Sequence, residues 1–544
     1  MIVEMPRRST HSRRPTGPSS PAARLAGFLV VGCLVCAPVI TAPTLGPTRA
    51  ITVERLQTHL RVIASDELEG RDPLSPGFRA AADYVSGVMR EIGATPLGDN
   101  GSYLQTVTMR RTTIQPEGTY VRIGSRTFHH GHNLLGSGSG SASGRVVYVG
   151  HGWRVPSKGI DPFAGVDVRD ALLLVIPVVP AGVTFDELAQ LEEDGGWFGP
   201  ERNAKRFGAR GVLRVGADGE VARAQRSTDR DASGGHLSVD RLDDLDHPLP
   251  TATLDGEALD ALMDGERESA AALRTRLSTR EPGASFALSS GKQVALTIAT
   301  SVEREATFNV VAAIEGSDPA SMHEYVALGA HLDHIGRRER GRTGGDDINN
   351  GADDDGSGVV ALLEIAAAVA RGPRPPRSLL FVWHTGEEAG GWGSRYFTAF
   401  PPVPLDRIVA QLNLDMVGRS RTGGDGDPKL SGPHELFVVG ARRSSRDLSE
   451  TIARVNREFL GLTLNTRYDA SDDPERIYER SDHYQYAKKG IPVAFFFSGL
   501  HDDYHRPSDE IERIDFVKLQ KVAQTVLAVA WNLASQPGRP GTND

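Results

Sequence analysis

Five short stretches in the C-terminal half of the chain concentrate side chains able to hold a metal ion or move a proton. In Gly329-Ala330-His331-Leu332-Asp333 an imidazole precedes a carboxylate by two residues, so Asp333 could orient the ring of His331. Read alone, that pair is equally a strand-end His in a polar loop. Asn350-Gly351-Ala352-Asp353-Asp354-Asp355-Gly356-Ser357-Gly358 packs three acids in a row. One of them could cap the following helix, but three beside a His repel one another, and a carboxylate bridging two divalent ions would offset that repulsion. His384-Thr385-Gly386-Glu387-Glu388 follows an apolar run. Two adjacent glutamates suit a division of labour, one on a metal and one taking a proton from water, with a solvated acidic turn as the alternative. Asp415 closes the apolar run Leu412-Asn413-Leu414 and, if buried, needs a partner. The last stretch is His501-Asp502-Asp503-Tyr504-His505-Arg506-Pro507-Ser508-Asp509.

Taken together these supply nitrogen and oxygen donors without sulfur. Such a set suits zinc, with manganese or cobalt next, and holds too much nitrogen for magnesium or calcium. Two ions sharing a carboxylate lie about 3.5–4 Å apart and can clamp a water and a carbonyl oxygen. The chemistry implied is metal-assisted hydrolysis.

These groups need a frame that gathers them. From Phe308 onward strand patterns (Asn309–Ile314, Tyr325–Ala330, Leu379–Trp383, Ile408–Leu414, Leu436–Val439, Val493–Phe497) alternate with helix patterns (Val359–Ala370, Leu448–Phe459, Phe516–Leu533). That alternation predicts an α/β fold with a largely parallel sheet covered by helices on both faces, and ligands collect at the carboxyl ends of such strands. Helical spacing recurs at Val53, Leu56, Leu60 and Ile63 and from Phe78 to Ile92. Between these parts, short apolar pieces at Val146–Val149, Ala171–Pro177 and Gly211–Val215 read as a separate β-rich module. It carries a flexible Gly/Ser tract over Gly136–Gly144 and a single helix over Glu257–Leu277.

With 544 residues and a formal charge of −9, the chain has room for several packed cores and the wrong sign for general nucleic-acid binding. Residues 1–24 hold five Arg and one acid and precede the uncharged run Leu25–Ala42, the shape of a secretory leader. Cleavage is expected, with Ala37, Ala42 and Ala50 each offering a position, and retention as an anchor or lipidation at Cys33 as alternatives. Both cysteines, Cys33 and Cys36, would leave with it.

In order along the chain, GAHLDH, NNGADDDGSG, HTGEEAGGWGS, NLDMVG and YHRPSD, preceded by SDELEGR and GDNGSY, resemble the two-zinc aminopeptidase family that includes secreted bacterial leucyl aminopeptidases and the glutamate carboxypeptidases. The likeness covers most of residues 51–535. It implies a zinc-exopeptidase fold, phosphorylase/hydrolase-like, with a mostly parallel mixed sheet sandwiched by helices. It also implies two Zn2+, one held by His331, Asp354 and Asp415, the other by the shared Asp354 with Glu388 and His505. Glu387 matches the general base that activates the water between the ions, and Tyr478 the tyrosine that some relatives offer to the oxyanion; core packing is the other reading of Tyr478. Asp482 and His483 match a family signature without being carried over as ligands. Gly391-Trp392 stands where the family usually has leucines. Residues of about 127–295 resemble an inserted protease-associated domain, with YVGHG, FAGVD and GARGV at the expected places; His129-His130-Gly131-His132 inside it reads as a loop cluster, with metal binding as the alternative.

The resulting organisation is a leader (1–50), a peptidase domain in two parts (51–126 and 296–536), the insert (127–295) and a tail (537–544). The expected activity is a secreted or periplasmic aminopeptidase acting on peptides, monomeric, with no nucleic-acid partner and no membrane partner beyond an N-terminal anchor. A carboxypeptidase or dipeptidase of the same superfamily is the alternative, disfavoured because only about 40 residues follow His505. A metal-free binding module is the third reading.

Overall fold

The computed structural model describes residues 45–184, 199–217, 219–221, 223, 236–242, 249–338, 346–421 and 429–543. The leader pattern of residues 1–42 lies outside these residues. No helix among them is long and apolar enough to cross a membrane.

A ten-stranded mixed sheet carries the chemistry-bearing motifs. Its strands are β1 (Leu104–Ile114), β2 (His236–Val239), β3 (Thr300–Ile314), β4 (Tyr325–His331), β5 (Ser378–His384), β6 (Ile408–Leu414), β7 (Glu435–Val439), β8 (Thr463–Asn465) and β9 (Val493–Phe497). They lie in the order β2-β1-β3-β5-β4-β6-β9-β7-β8, and the short segment Thr95–Pro96 pairs with β3. The centre, β5-β4-β6-β9, is parallel. Alternate residues of β5 enter different cores, Leu379, Phe381 and Trp383 on one face and Leu380 and Val382 on the other. That is why these strands read as unbroken apolar runs.

The sheet is parallel only at this centre and in the β7–β8 pair; β3, β1, β2 and β7 join antiparallel. β3 starts nine residues before the expected Asn309, since its first half pairs with β1 and exposes Glu303 and Arg304, charges that hide a strand from a hydrophobicity pattern.

Helices α1 (Val53–Ile63), α2 (Pro76–Glu91), α3 (Gly358–Arg371), α5 (Arg446–Phe459) and α6 (Phe516–Ser535) cover one face, and α4 (Trp392–Ala399) contributes Phe397 to the other. Thr52, Ser75 and Asp515 cap α1, α2 and α6 by accepting the amides of Arg55, Phe78 and Lys518. α3 is buried from Gly358 to Val369, so the loop that carries the three acids enters a helix fixed on every side.

The inserted part builds two further sheets with their own cores. One has six strands, the other four, and their strands run from Tyr120 to Ile298 rather than from 127 to 295. β2 leaves this part to join the main sheet. The Gly/Ser tract is not a flexible link: Leu134–Ser137 and Gly140–Gly144 are strands, paired with Thr251–Leu254 and Val294–Ile298. Glycine suits close packing there, because a Cβ on Gly136 would lie 2.8 Å from Thr119 Cγ2. The expected helix over Glu257–Leu277 is two, Gly256–Met263 and Ala270–Thr279, divided at Asp264-Gly265.

A candidate metal centre at the strand ends

β4 delivers His331 to the carboxyl end of the sheet. The ring Nδ1 donates to the main-chain carbonyl of Asp333 at 3.0 Å, which leaves Nε2 facing Asp354 Oδ1 at 3.2 Å and Asp415 Oδ1 at 3.6 Å. Asp354 Oδ2 points the other way, 3.3 Å from His505 Nε2, and that nitrogen lies 2.9 Å from Glu388 Oε2. Asp354 therefore gives one oxygen to each of two donor groups, the arrangement of a carboxylate shared between two ions.

Of the three adjacent acids only this middle one is free to do so. Asp355 accepts the amides of His331, Gly358 and Met416, tying the ends of β4 and β6 to the start of α3. Asp353 accepts the amide of Gly418 at 2.6 Å and faces His501 Nε2 at 3.3 Å. Asp509 in turn accepts the amides of both Asp353 and Asp354 and pairs with Arg419. Asp415, just past β6, is steadied by the Ser481 hydroxyl at 2.7 Å, which itself accepts from Asn413.

The N-terminal segment closes the frame. Arg71 is fully buried and donates to the carbonyls of Ile63, Leu332, Asn350 and Gly351, so one guanidinium joins the loops that carry His331 and Asp354. Its charge also lies among Asp333, Asp354, Asp355 and Asp509. Asp333 contacts His331 through its carbonyl, with the nearest carboxylate oxygen 3.9 Å from Nδ1; that carboxylate accepts the amides of Glu387 and Glu388.

Electrostatics match a site built for cations. Burial pushes the carboxyls of Asp355, Asp415 and Glu387 up, and that of Asp333 to about 7. For Asp354 burial works upward too, but His331, His505 and His334 pull it well below the usual carboxylate range. His505, opposed by burial, is raised to about 10 by its bonds to Asp354 and Glu388. Acids crowded in low dielectric are stabilised by positive charge. The donor atoms of His331, Asp354 and Asp415, and those of His334, Asp354 and Glu388, lie within 4.8 Å of one another in each group. Groups of this kind can hold a divalent metal ion, and the nitrogen and oxygen donors suit zinc.

A cleft of about 340 Å³ opens on this centre, with Asp354, Glu387, Glu388 and Asp415 at its base. Met416, Ile477, Phe495, Phe497 and Leu500 form an apolar wall, and Arg480 and Tyr504 complete the lining. Tyr478 does not line it. Its ring lies under the Arg443 guanidinium at 4.0 Å, edge-on to His483, in a neighbouring cleft with Arg476 and Glu479. Tyr504 is the tyrosine on the metal side, stacked on His505 at 3.8 Å with its hydroxyl accepting from Arg480. The sequence reading did not single out Tyr504 or His334, although each has a local signal: an aromatic directly before His505, and a second His three residues after His331. In the His129–His132 stretch, His130 Nδ1 accepts the amide of Gly136, a structural bond.

Residues 309–530 match peptidase family M28. The resemblance read from the motifs holds for this region. A probable leucine aminopeptidase of Trichophyton verrucosum is 30% identical over 231 residues, 40% of this chain and 56% of that protein. Leupeptin-inactivating enzyme 1 of Streptomyces exfoliatus is 30% identical over 258 residues, 43% of this chain and 50% of that protein. The chain thus spans about half the length of the curated relatives it matches. Among solved structures, an aminopeptidase from Aneurinibacillus sp. strain AM-1 aligns over 91% of this chain and 97% of its own, with TM-score 0.48 and 18% identity. A zinc aminopeptidase from Bacillus subtilis aligns over 91% and 98%, with TM-score 0.43 and 17% identity. Arg71 and the inserted sheets lie outside the M28 match.

Proposed function

We propose that the chain is a two-zinc aminopeptidase that removes N-terminal residues from peptides. The observation that carries this reading is Asp354 turning one oxygen to His331, which Asp415 also faces, and the other to His505, which Glu388 also faces, with Glu387 on the wall of the same cleft. Bound there, a pair of zinc ions supplies Lewis-acid polarisation of the scissile carbonyl and lowers the pKa of water. Everything else is the work of the chain. Glu387, raised by burial, accepts the water proton and passes it to the leaving amine, the behaviour of a carboxylate tuned toward neutral pH. Asp333 fixes its backbone. Tyr504, oriented by Arg480, offers its hydroxyl to the developing oxyanion. The apolar wall receives the first side chain of the substrate.

The aminopeptidase reading is supported over the carboxypeptidase or dipeptidase one by likeness to proteins named as leucine aminopeptidases. Action outside the cytoplasm rests on the leader pattern of residues 1–50, and the protease-associated reading of residues 127–295 on their motifs; a monomer is part of the same proposal. The test is to count zinc in the purified protein and assay aminoacyl chromogenic amides beside their N-acetylated forms. About two zinc per chain and cleavage of free-amine substrates only is the expected result. Two zinc with cleavage of dipeptides alone moves the reading to a dipeptidase, and no bound metal overturns it.

A further inference from the structure

His334 is fully buried behind the second donor group. Its Nδ1 lies 2.7 Å from Glu388 Oε1, whereas Glu388 Oε2 faces His505 Nε2 at 2.9 Å. Asp354 Oδ2 is 3.3 Å from His505 Nε2 but 3.8 Å from His334 Nδ1. The two oxygens of Glu388 are thus divided, Oε1 to the buried ring and Oε2 to the place that His505 and Asp354 share.

The ring has a built seat. Gly351, at φ +55°, lies against it so closely that a Cβ there would be 2.6 Å from His334 Cδ2 and 2.7 Å from Cγ. Any side chain at 351 would displace the imidazole. The His334 amide donates to the carbonyl of Arg71 at 3.1 Å, which holds the segment from the other side.

We infer that His334 is a positioning residue of the second metal site: it donates Nδ1–H to Glu388 Oε1 and so aims Oε2 at the ion. The inference rests on the metallopeptidase reading above. The alternative is that Nδ1 is itself a ligand. Nε2 is buried without a hydrogen-bond partner among the described residues whichever nitrogen carries the proton; the positioning role is favoured because Nδ1 lies at hydrogen-bond distance from Glu388 Oε1, 2.7 Å, and 3.8 Å from Asp354 Oδ2. A hydrogen bond to the far oxygen of a ligating carboxylate fixes its orientation and raises metal affinity by restricting it.

The experiment titrates metal-free full-length protein with Co2+, followed by visible absorption and calorimetry, for wild type, His334→Ala, His334→Gln and His505→Ala. Wild type is expected to fill in two steps. His334→Ala should weaken one step by about 10–100-fold and leave the other within about twofold. His334→Gln, whose amide can still donate, should recover most of the loss. The thermal midpoint of each metal-free form reads folding separately. Two unchanged steps in His334→Ala, equal weakening of both, or a His334→Gln no better than His334→Ala overturns the positioning role. A step abolished as completely as in His505→Ala overturns it in favour of a ligand. Wild type that takes up no second ion sinks the metallopeptidase reading along with this one, whereas two wild-type steps indifferent to His334 sink this one alone.

Discussion

Asp333 holds Glu387 by the backbone: the Glu387 amide donates to Asp333 Oδ1 at 3.1 Å, and the next amide, of Glu388, donates to Oδ2 at 3.3 Å. One carboxylate thus fixes the proposed general base and a proposed ligand together. Asp333→Asn keeps the shape but sets an amide N–H against a main-chain N–H. A fall in kcat of about 10–100-fold is expected, with KM little changed, the size seen when a support to a metal site is lost. A variant at the wild-type rate would remove Asp333 from this role.

Glu387→Gln should lower kcat by at least about 10²-fold, the contribution of a positioned base, while both metal-binding steps survive. Loss of metal with loss of rate would instead make Glu387 a ligand.

The two tyrosines separate cleanly. Tyr504→Phe should reduce kcat by about 10-fold or more, as expected on removing one oxyanion donor. Tyr478→Phe should leave kcat unchanged, since its ring lines a different cleft. The opposite ranking in a steady-state assay would restore Tyr478 to the site.

Metal removal should destabilise the fold. An ion present at a thousandfold its Kd contributes about 4 kcal/mol, and the acids it leaves behind are buried. The thermal midpoint should drop on chelation and return with zinc; calorimetry with and without chelator reads this directly.

Lys518, which does not line the cleft, gives a pH signature of its own. Its Nζ donates to the Arg419 carbonyl and the Ser431 hydroxyl, and burial lowers its pKa to about 8. An unfolded lysine keeps its proton to about 10.4. Between these two pH values the unfolded chain binds more protons, so stability rises with pH across that window and is flat in this group below it. Urea midpoints of wild type minus Lys518→Met, taken from pH 7 to 10, should show the rise; a constant difference would contradict it.

The peptidase core was legible because its strands are buried on both faces: Ile408–Leu414 and Val493–Phe497 occupy the residues their apolar runs predicted. His331 and Glu388 were legible too, as types at or just past the ends of β4 and β5, and Asp354 as one of three acids before α3. What the residues could not reveal is which acids the backbone consumes. Asp353 and Asp355 look identical to Asp354 in sequence, and only the amides of Gly418, Gly358 and Met416 tell them apart. Tyr478 and Tyr504 differ by how their own separate segments face the cleft, Ile477 and Arg480 lining it on either side of Tyr478. The first half of β3 and the Gly/Ser strands were hidden for another reason, since cross-strand partners, not local hydrophobicity, make them strands.

Arg71 gives the assembly a sequence in time. The guanidinium is synthesised early, yet the carbonyls it clasps at Leu332, Asn350 and Gly351 emerge more than 250 residues later, and α6, which roofs the same core, comes last. Contacts so far apart in the chain form slowly. Of its four carbonyl partners only that of Ile63 is near it in the chain; the other three come with the later strands and loops.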